Sequence, residues 1–200
     1  MPYYIKIILN VNIFGRIKII MKKHKQRHTL NYLLTPDYVF PTFADITPEF
    51  LLSKGIKALV IDVDNTLAPY EQALPDEKTV EWFKTLADNG IKAALISNNK
   101  PARIEKYNSL LSLPAYPDSK KPSTKMILVA IEQMGAAVET TAGLGDQLLT
   151  DTLAVHRLDM LSLIVPPIKD KKTLFFRFKR LLEKPFMRRY RKKNSEVNSK

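Results

Sequence analysis

Asp62-Val63-Asp64-Asn65-Thr66 carries two carboxylates two residues apart at the end of an apolar run, and alternate side chains on an extended segment point the same way. Like charges forced together destabilise a fold unless a cation neutralises them. A second acidic pair, Asp146 and Asp151, lies in Gly145-Asp146-Gln147-Leu148-Leu149-Thr150-Asp151 and opens a helix, whose N-terminus also favours anions. Four carboxylates with neither histidine nor cysteine beside them suit a hard, oxygen-seeking cation, Mg2+ rather than zinc. The chain has no cysteine, which removes disulfides, thiolate zinc sites and cysteine nucleophiles and is compatible with a reducing, intracellular compartment.

These residues need a frame that brings them together. Thr47-Pro48 reads as the N-cap and first residue of a short helix stopped by Gly55. Ile56–Asp62 has the pattern of a strand covered on both faces. The spacing then predicts a helix over Asp76–Asn89, a strand at Ile91–Ile96, a helix from Pro101 to Leu111 and a short strand at Leu113–Tyr116. A helix over Ser123–Met134, a strand at Glu139–Leu144, a helix over Gln147–Leu158 and a last strand at Leu161–Val165 complete the series. Five strands alternating with helices predict an α/β fold, a three-layer α/β/α sandwich on a parallel, Rossmann-like sheet with right-handed crossovers. Ligands of such sheets bind beyond the carboxyl ends of the strands. Asp62 ends the first strand, Ser97 ends the second and Asp146 follows the fourth, so distant segments aim polar groups at one rim. Singly, an Asp after a strand is a turn residue and Ser97 a helix cap; the convergence is what carries weight. His156 and Trp82 read as structural residues.

The motifs resemble those of the haloacid dehalogenase-like phosphatases. Asp62-Val63-Asp64-Asn65-Thr66 is similar to their first motif, Ser97 in Leu95-Ile96-Ser97-Asn98-Asn99 to the second, Lys121 before Pro122 to the third, and Gly145-Asp146 with Asp151 to the fourth. The likeness runs from Leu30 to Arg191 and is greatest with the YqeG-type branch of subclass IIIA, which includes phosphatidylglycerophosphate phosphatases. Leu33-Leu34-Thr35-Pro36-Asp37-Tyr38 and Asp45-Ile46-Thr47-Pro48 resemble that branch too, whereas Ala154-Val155-His156-Arg157 departs from its Asn-Arg and small glycines. The resemblance implies that Asp62 attacks the phosphoryl group to form an aspartyl-phosphate, while Asp64 acts as acid and then base. Ser97 and Lys121 would stabilise the transferring charge; Lys120 competes with Lys121 for that role. Mg2+ would be held by Asp62, the backbone carbonyl of Asp64 and Asp146, with Asp151 as a ligand or its neighbour. Thr66 is expected to order the loop after the strand. The implied lead substrate is phosphatidylglycerophosphate, with a soluble phosphate ester as the alternative. The short intervals Asp64–Asp76 and Ser97–Lys121 leave no room for a cap domain, so the site is open to large substrates.

The chain as a whole, 45% apolar and 26% charged, reads as globular rather than disordered or collagen-like. Its formal charge of +12 is concentrated at the ends: residues 1–36 hold seven Lys/Arg and no acid, and 169–200 hold thirteen against Asp170, Glu183 and Glu196. The reading is a basic N-terminal extension (1–36), a phosphatase core (37–168) and a basic amphipathic C-terminal helix and tail (169–200). Residues 1–20 either belong to the native protein or are a start-site artefact ahead of Met21. Their longest uncharged stretch, Ile7–Gly15, is too short to span a bilayer, and no secretory signal is formed. Basic ends favour polyanions. From Leu174 to Phe186 apolar residues interleave with Arg177, Lys179, Arg180 and Lys184, which makes either an interfacial helix on an anionic membrane surface or a stripe packed on the core. The expected location is cytoplasmic, peripheral at the inner face of the membrane in the first case. Two other classes stay open: a phosphoacceptor signalling domain, which would carry its acceptor Asp on a middle strand, and a nucleic-acid or ribosome-associated protein with an idle site, which no base-stacking motif supports.

Overall fold

The computed structural model describes residues 29–169 and 174–198, so the stretch up to His28, with the start-site question, lies outside the described residues. The elements are α1 (Leu30–Leu34), β1 (Tyr38–Val39), α2 (Pro48–Ser53), β2 (Ala58–Ile61), α3 (Glu77–Asp88), β3 (Lys92–Ile96) and α4 (Pro101–Asn108). They continue with β4 (Ala115–Tyr116), α5 (Lys125–Gln133), β5 (Thr141–Gly145), α6 (Leu153–His156), β6 (Leu161–Ile164) and α7 (Leu174–Asn198). Local chemistry sets the boundaries. Thr47 Oγ1 accepts from Phe50 N at 3.2 Å to start α2, and Asp76 Oδ1 accepts from Thr79 N at 2.8 Å to start α3. Gly90 at φ +73° ends α3 in the left-handed region that disfavours other residues.

All pairings are parallel and the sheet order is β1-β6-β5-β2-β3-β4. The sixth strand, β1, was not among the five expected: two residues docked on β6, Tyr38 against Leu163 and Val39 against Ile164, are too few to display a period. Glu139 lies in a 3-10 turn (Val138–Thr140) rather than in the strand that follows, and the helix expected over Gln147–Leu158 is a π-helical turn, Leu148–Thr152, running into the short α6.

Alternation along the strands divides the core. Leu59, Ile61 and Leu95 face Leu51, Trp82, Leu86 and Ile104 of α2, α3 and α4. Ala58, Val60, Ala94 and Ile96 face Ile127, Ile131 and Val155 of α5 and α6. The sheet is thus the middle of three layers, buried on both sides as parallel sheets are. Trp82 is a core residue whose Nε1 donates to the Ile46 carbonyl at 3.0 Å, and His156 ties α6 to the segment before β1 through Asp37 Oδ2 at 2.9 Å.

The topology locates the site. From β2 the chain runs outward through β3 and β4, then returns to place β5 and β6 on the other side of β2. The order reverses between β2 and β5, which is where an open α/β sheet forms its crevice. Asp62 follows β2, Asp146 follows β5, and Asp62 N donates to the Leu144 carbonyl at 2.9 Å.

The long helix α7 divides its apolar residues between two faces. Phe186, Met187 and Tyr190 are half-buried, while Phe178 and Leu181 stay 58% and 57% exposed. No helix among the described residues is long and apolar enough to cross a membrane.

Candidate active site

Asp62 is held in the turn between β2 and α3. Asn65, at φ +68°, reverses the chain, and the Thr66, Leu67 and Ala68 amides converge on the Val63 carbonyl at 3.2, 2.9 and 3.2 Å. Thr66 Oγ1 donates to Asp62 Oδ2 at 3.3 Å, so Thr66 does order this loop. Lys121 Nζ lies 2.6 Å from Asp62 Oδ1, 2.7 Å from Asp151 Oδ1 and 2.8 Å from the Ile96 carbonyl. Of the two candidate lysines it is Lys121 that is buried, whereas Lys120 is exposed at φ +54°.

Asp62, Asp146 and Asp151 each bring a carboxylate oxygen within 4.8 Å of the others. The set is all oxygen, buried, and without histidine or sulfur, which fits a hard divalent cation. Gly145 is part of this arrangement: a Cβ there would lie 2.3 Å from Asp151 Cγ, so only glycine lets the π-helical turn fold back against the end of β5. Asp151 Oδ2 is steadied by Gln147 N at 3.1 Å and Thr150 Oγ1 at 3.4 Å.

Asp64 faces the same cleft, but its carboxylate is engaged elsewhere and does not join the three-carboxylate group. Arg103 Nη2 lies 3.1 Å from Oδ1 and Nε donates to it at 3.2 Å, while Asn99 Nδ2 donates to Oδ2 at 2.9 Å. Asp64 was expected to reach a cation through its backbone carbonyl, and its side chain stands apart from the other three carboxylates. Ser97 is buried at the end of β3; its Oγ accepts from Asn99 N at 3.0 Å and does not cap α4, whose N-cap is Lys100. Asn98 shapes the lysine loop, accepting from Lys121 N at 2.6 Å and donating to its carbonyl at 3.0 Å. Asp62, Asp64, Ser97, Lys121 and Asp151 all line one cleft of about 330 Å³, which Tyr70 and Lys179 also border.

Electrostatics follows burial. Asp62 is pushed up to about 8, desolvation outweighing the pull of the Lys121 ammonium while Asp151 and Asp146 add repulsion. Asp146 is pushed up to about 7 by burial and by Asp151, against Arg180. Burial works against the Lys121 ammonium, but the Asp151 and Asp62 carboxylates beside it prevail and its pKa rises. Tyr70 is raised by burial and then by Asp64, so its hydroxyl stays protonated. A divalent cation bound here would compete with protons for these carboxyls.

Sequence reasoning missed several contributors. Arg103 and Asn99 gave no signal beyond proximity to the second motif. Arg180 and Glu183 come from α7: Arg180 Nη2 bonds Asp146 Oδ2 at 2.5 Å and Nη1 the Asp146 carbonyl at 2.7 Å. Glu183, 4% exposed, accepts from the Leu148 and Leu149 amides at 2.8 and 3.2 Å and pairs with Arg180 at 3.0 Å. The available signal was an acid, Glu183, set among the cations of the helix. Among the described residues no domain is inserted between β2 and α3 or between β3 and α5; α7 lies at the open side instead.

A carboxylate-bearing turn at the switch point, a carboxylate group suited to a divalent cation, a buried lysine between two of its members and a single parallel sheet define a phosphatase of the haloacid dehalogenase type. The chain belongs to the family described as mitochondrial PGP phosphatase, whose model matches residues 25–165. It is 29% identical over 164 residues to the probable phosphatase YqeG of Bacillus subtilis (strain 168), covering 82% of this chain and 95% of that protein. Among solved structures it is similar to the cobalt-bound deoxy-D-mannose-octulosonate 8-phosphate phosphatase (YrbI) of Haemophilus influenzae, at 19% identity and TM-score 0.42, over 47% of this chain and 60% of that one. It is also similar to the 3-deoxy-D-manno-octulosonate 8-phosphate phosphatase of Moraxella catarrhalis in complex with magnesium, phosphate and KDO, at 18% identity and TM-score 0.41, over 52% of this chain and 65% of that one.

Proposed function

We propose that this phosphatase is Mg2+-dependent, works through an aspartyl-phosphate on Asp62 and takes phosphatidylglycerophosphate as its substrate at the inner face of an anionic membrane. The observation that carries the reading is the gathering of Asp62, Asp146 and Asp151 within 4.8 Å beside the buried Lys121. Mg2+, held by those carboxylates and the Asp64 carbonyl, would supply Lewis-acid neutralisation of the phosphoryl oxygens.

The protein's own groups account for the rest. A carboxylate oxygen of Asp62 attacks phosphorus as the bond to the leaving alcohol breaks, and Asp64 gives its proton to that oxygen. Asp64 then takes a proton from the water that attacks the acyl phosphate, which releases inorganic phosphate and restores the Asp62 carboxylate. Arg103 and Asn99 fix the Asp64 carboxylate at the cleft wall. Lys121 and Ser97 border the same cleft, where an ammonium and a hydroxyl stabilise equatorial phosphoryl oxygens.

The lipid substrate is supported by the description of the matched family, by the absence of an inserted domain over the cleft among the described residues, and by the outward face of α7. That face presents Phe178, Leu181 and Leu182 followed by Arg189 and Lys192, all exposed, the composition of a helix that rests on an anionic surface. Phosphate release from phosphatidylglycerophosphate in mixed micelles with Mg2+, compared with soluble sugar and nucleotide phosphates, tests the reading. The lipid is expected to be preferred, and Asp62→Asn to abolish turnover of every ester. Equal turnover of a soluble ester removes the lipid assignment; undiminished turnover by Asp62→Asn removes the mechanism.

A further inference from the structure

Beside the catalytic cleft lies a second cavity, of about 720 Å³, that the reaction on a phosphate ester does not use. The two meet along α7 and the turn after β5: Lys179 and Gln147 border the cleft, while Arg180 and its partner Asp146 border the second cavity. One wall of this groove is the sheet edge, with Val39, Ile164, Val165 and the Pro166-Pro167 segment. The opposite wall is α7, with Met187 and Tyr190 among Lys184, Arg188 and Arg191. Tyr190 pins the groove's outer end, its hydroxyl accepting from Val39 N at 3.0 Å.

The charge on the two walls is unbalanced. The acids at the groove are Asp146 and Glu183, and both are already satisfied by Arg180. Lys184, Arg188 and Arg191 form no ion pair with any described carboxylate. An apolar wall facing a row of uncompensated cations complements a molecule that is itself apolar and anionic. A bare phosphate or sugar phosphate would leave the sheet-edge wall wet, and a hydrocarbon would leave the cations without partners.

We propose that this groove binds the non-reacting half of an amphiphilic phosphate ester, with a second phosphate, a diester, on Lys184, Arg188 and Arg191 and the start of an acyl chain along Val39, Ile164 and Pro166. The proposal rests on the lipid-phosphate reading of the active site and adds to it a subsite that selects esters carrying a second anion and an apolar body. It makes α7 a specificity element for the substrate molecule, apart from any effect of its outer face on a membrane surface.

The test uses the full chain and dihexanoyl phosphatidylglycerophosphate as dissolved monomers, so that no lipid surface exists, with p-nitrophenyl phosphate as an ester too small to reach the groove. Two groove variants are compared with the parent chain: the exposed pair Lys184→Glu/Arg191→Glu, and Met187→Trp, which fills the groove without changing its charge. In both, KM for the dissolved lipid is expected to rise roughly tenfold or more, and the ratio of kcat/KM between lipid and p-nitrophenyl phosphate to fall by a similar factor. A control pair on the outward face, Arg189→Glu/Lys193→Glu, leaves that ratio unchanged. A ratio unaltered in both groove variants overturns the proposal. Binding is read separately on Asp62→Asn by calorimetry with dihexanoyl phosphatidylglycerol. Saturable binding lost in both groove variants supports the subsite even if the parent chain hydrolyses neither ester, a result that would instead refute the proposed reaction. Equal competition by inorganic phosphate or glycerol 3-phosphate would reduce the groove to a simple anion site and also overturn the proposal.

Discussion

Replacing Lys121 with methionine keeps an unbranched side chain, shorter by the terminal atom, and removes an ammonium that stands 2.6 Å from Asp62 and 2.7 Å from Asp151. The lysine side chain is 5% exposed and those of its partners 10% and 8%, so water cannot take its place. Deleting one member of a buried ion pair costs about 3–5 kcal/mol when the other is left charged. These carboxyls have an escape, because burial already pushes Asp62 up to about 8 and loss of the ammonium pushes it further. A carboxyl raised above its unfolded value contributes stability that is fully present below the unfolded pKa and is lost as pH rises from there through the folded pKa. At about pH 5 the variant therefore takes up protons, and the loss shrinks to about 1 kcal/mol for the hydrogen bonds and packing. At about pH 8 the full penalty is expected, and at about 2–4 °C per kcal/mol for a chain of this size it lowers Tm by roughly 6–20 °C. Differential scanning fluorimetry in excess chelator at the two pH values reads the difference, and added Mg2+ should recover part of the loss at the higher pH alone. Equal losses at both pH values would refute the claim that Lys121 serves to neutralise the carboxylates.

Other expectations follow from single contacts. Gly145→Ala places a Cβ 2.3 Å from Asp151 Cγ and should displace that carboxylate, weakening Mg2+ binding by roughly tenfold or more in calorimetry; unchanged affinity would take Asp151 out of the cation site. Glu183→Ala leaves the Leu148 and Leu149 amides without their acceptor and should cost about 1–3 kcal/mol in urea unfolding. A neutral result would mean that α7 does not dock as described. Phe178→Ser with Leu181→Ser should reduce sedimentation with phosphatidylglycerol vesicles while leaving turnover of dissolved short-chain ester unaltered, because both side chains face away from the cleft.

Much of the scaffold was readable because β2, β3 and β5 are buried on both faces and appear as apolar runs whose ends mark Asp62, Ser97 and Asp146. What escaped was set by tertiary contact. β1 is two residues held by β6 and by Tyr190, with no period of its own. The π-helical turn after β5 owes its shape to Gly145 and to Glu183, which lies 35 residues from Leu148 in the chain. Periodicity identifies α7 as amphipathic but cannot say which apolar residues dock. Phe186, Met187 and Tyr190 turn inward while Phe178, Leu181 and Leu182 remain outside, so only part of the stripe packs on the core. At the site, Asp62 and Asp64 share a cleft but have different partners, Lys121 for one and Arg103 with Asn99 for the other. That division of labour between two adjacent acids is invisible in a motif that contains only the acids.

The central claim is that Asp62 is the phosphoryl acceptor. Asp64→Asn should retain attack on phosphorus by the carboxylate but slow release of the acyl phosphate, which lets the intermediate accumulate in Mg2+ with a reactive ester. Borohydride reduces an aspartyl acyl phosphate to homoserine, and peptide mass mapping then locates the converted residue. Homoserine at position 62, formed only in the presence of substrate and absent from Asp62→Asn, is the result expected; conversion at another aspartate, or none while phosphate is still released, would contradict the account.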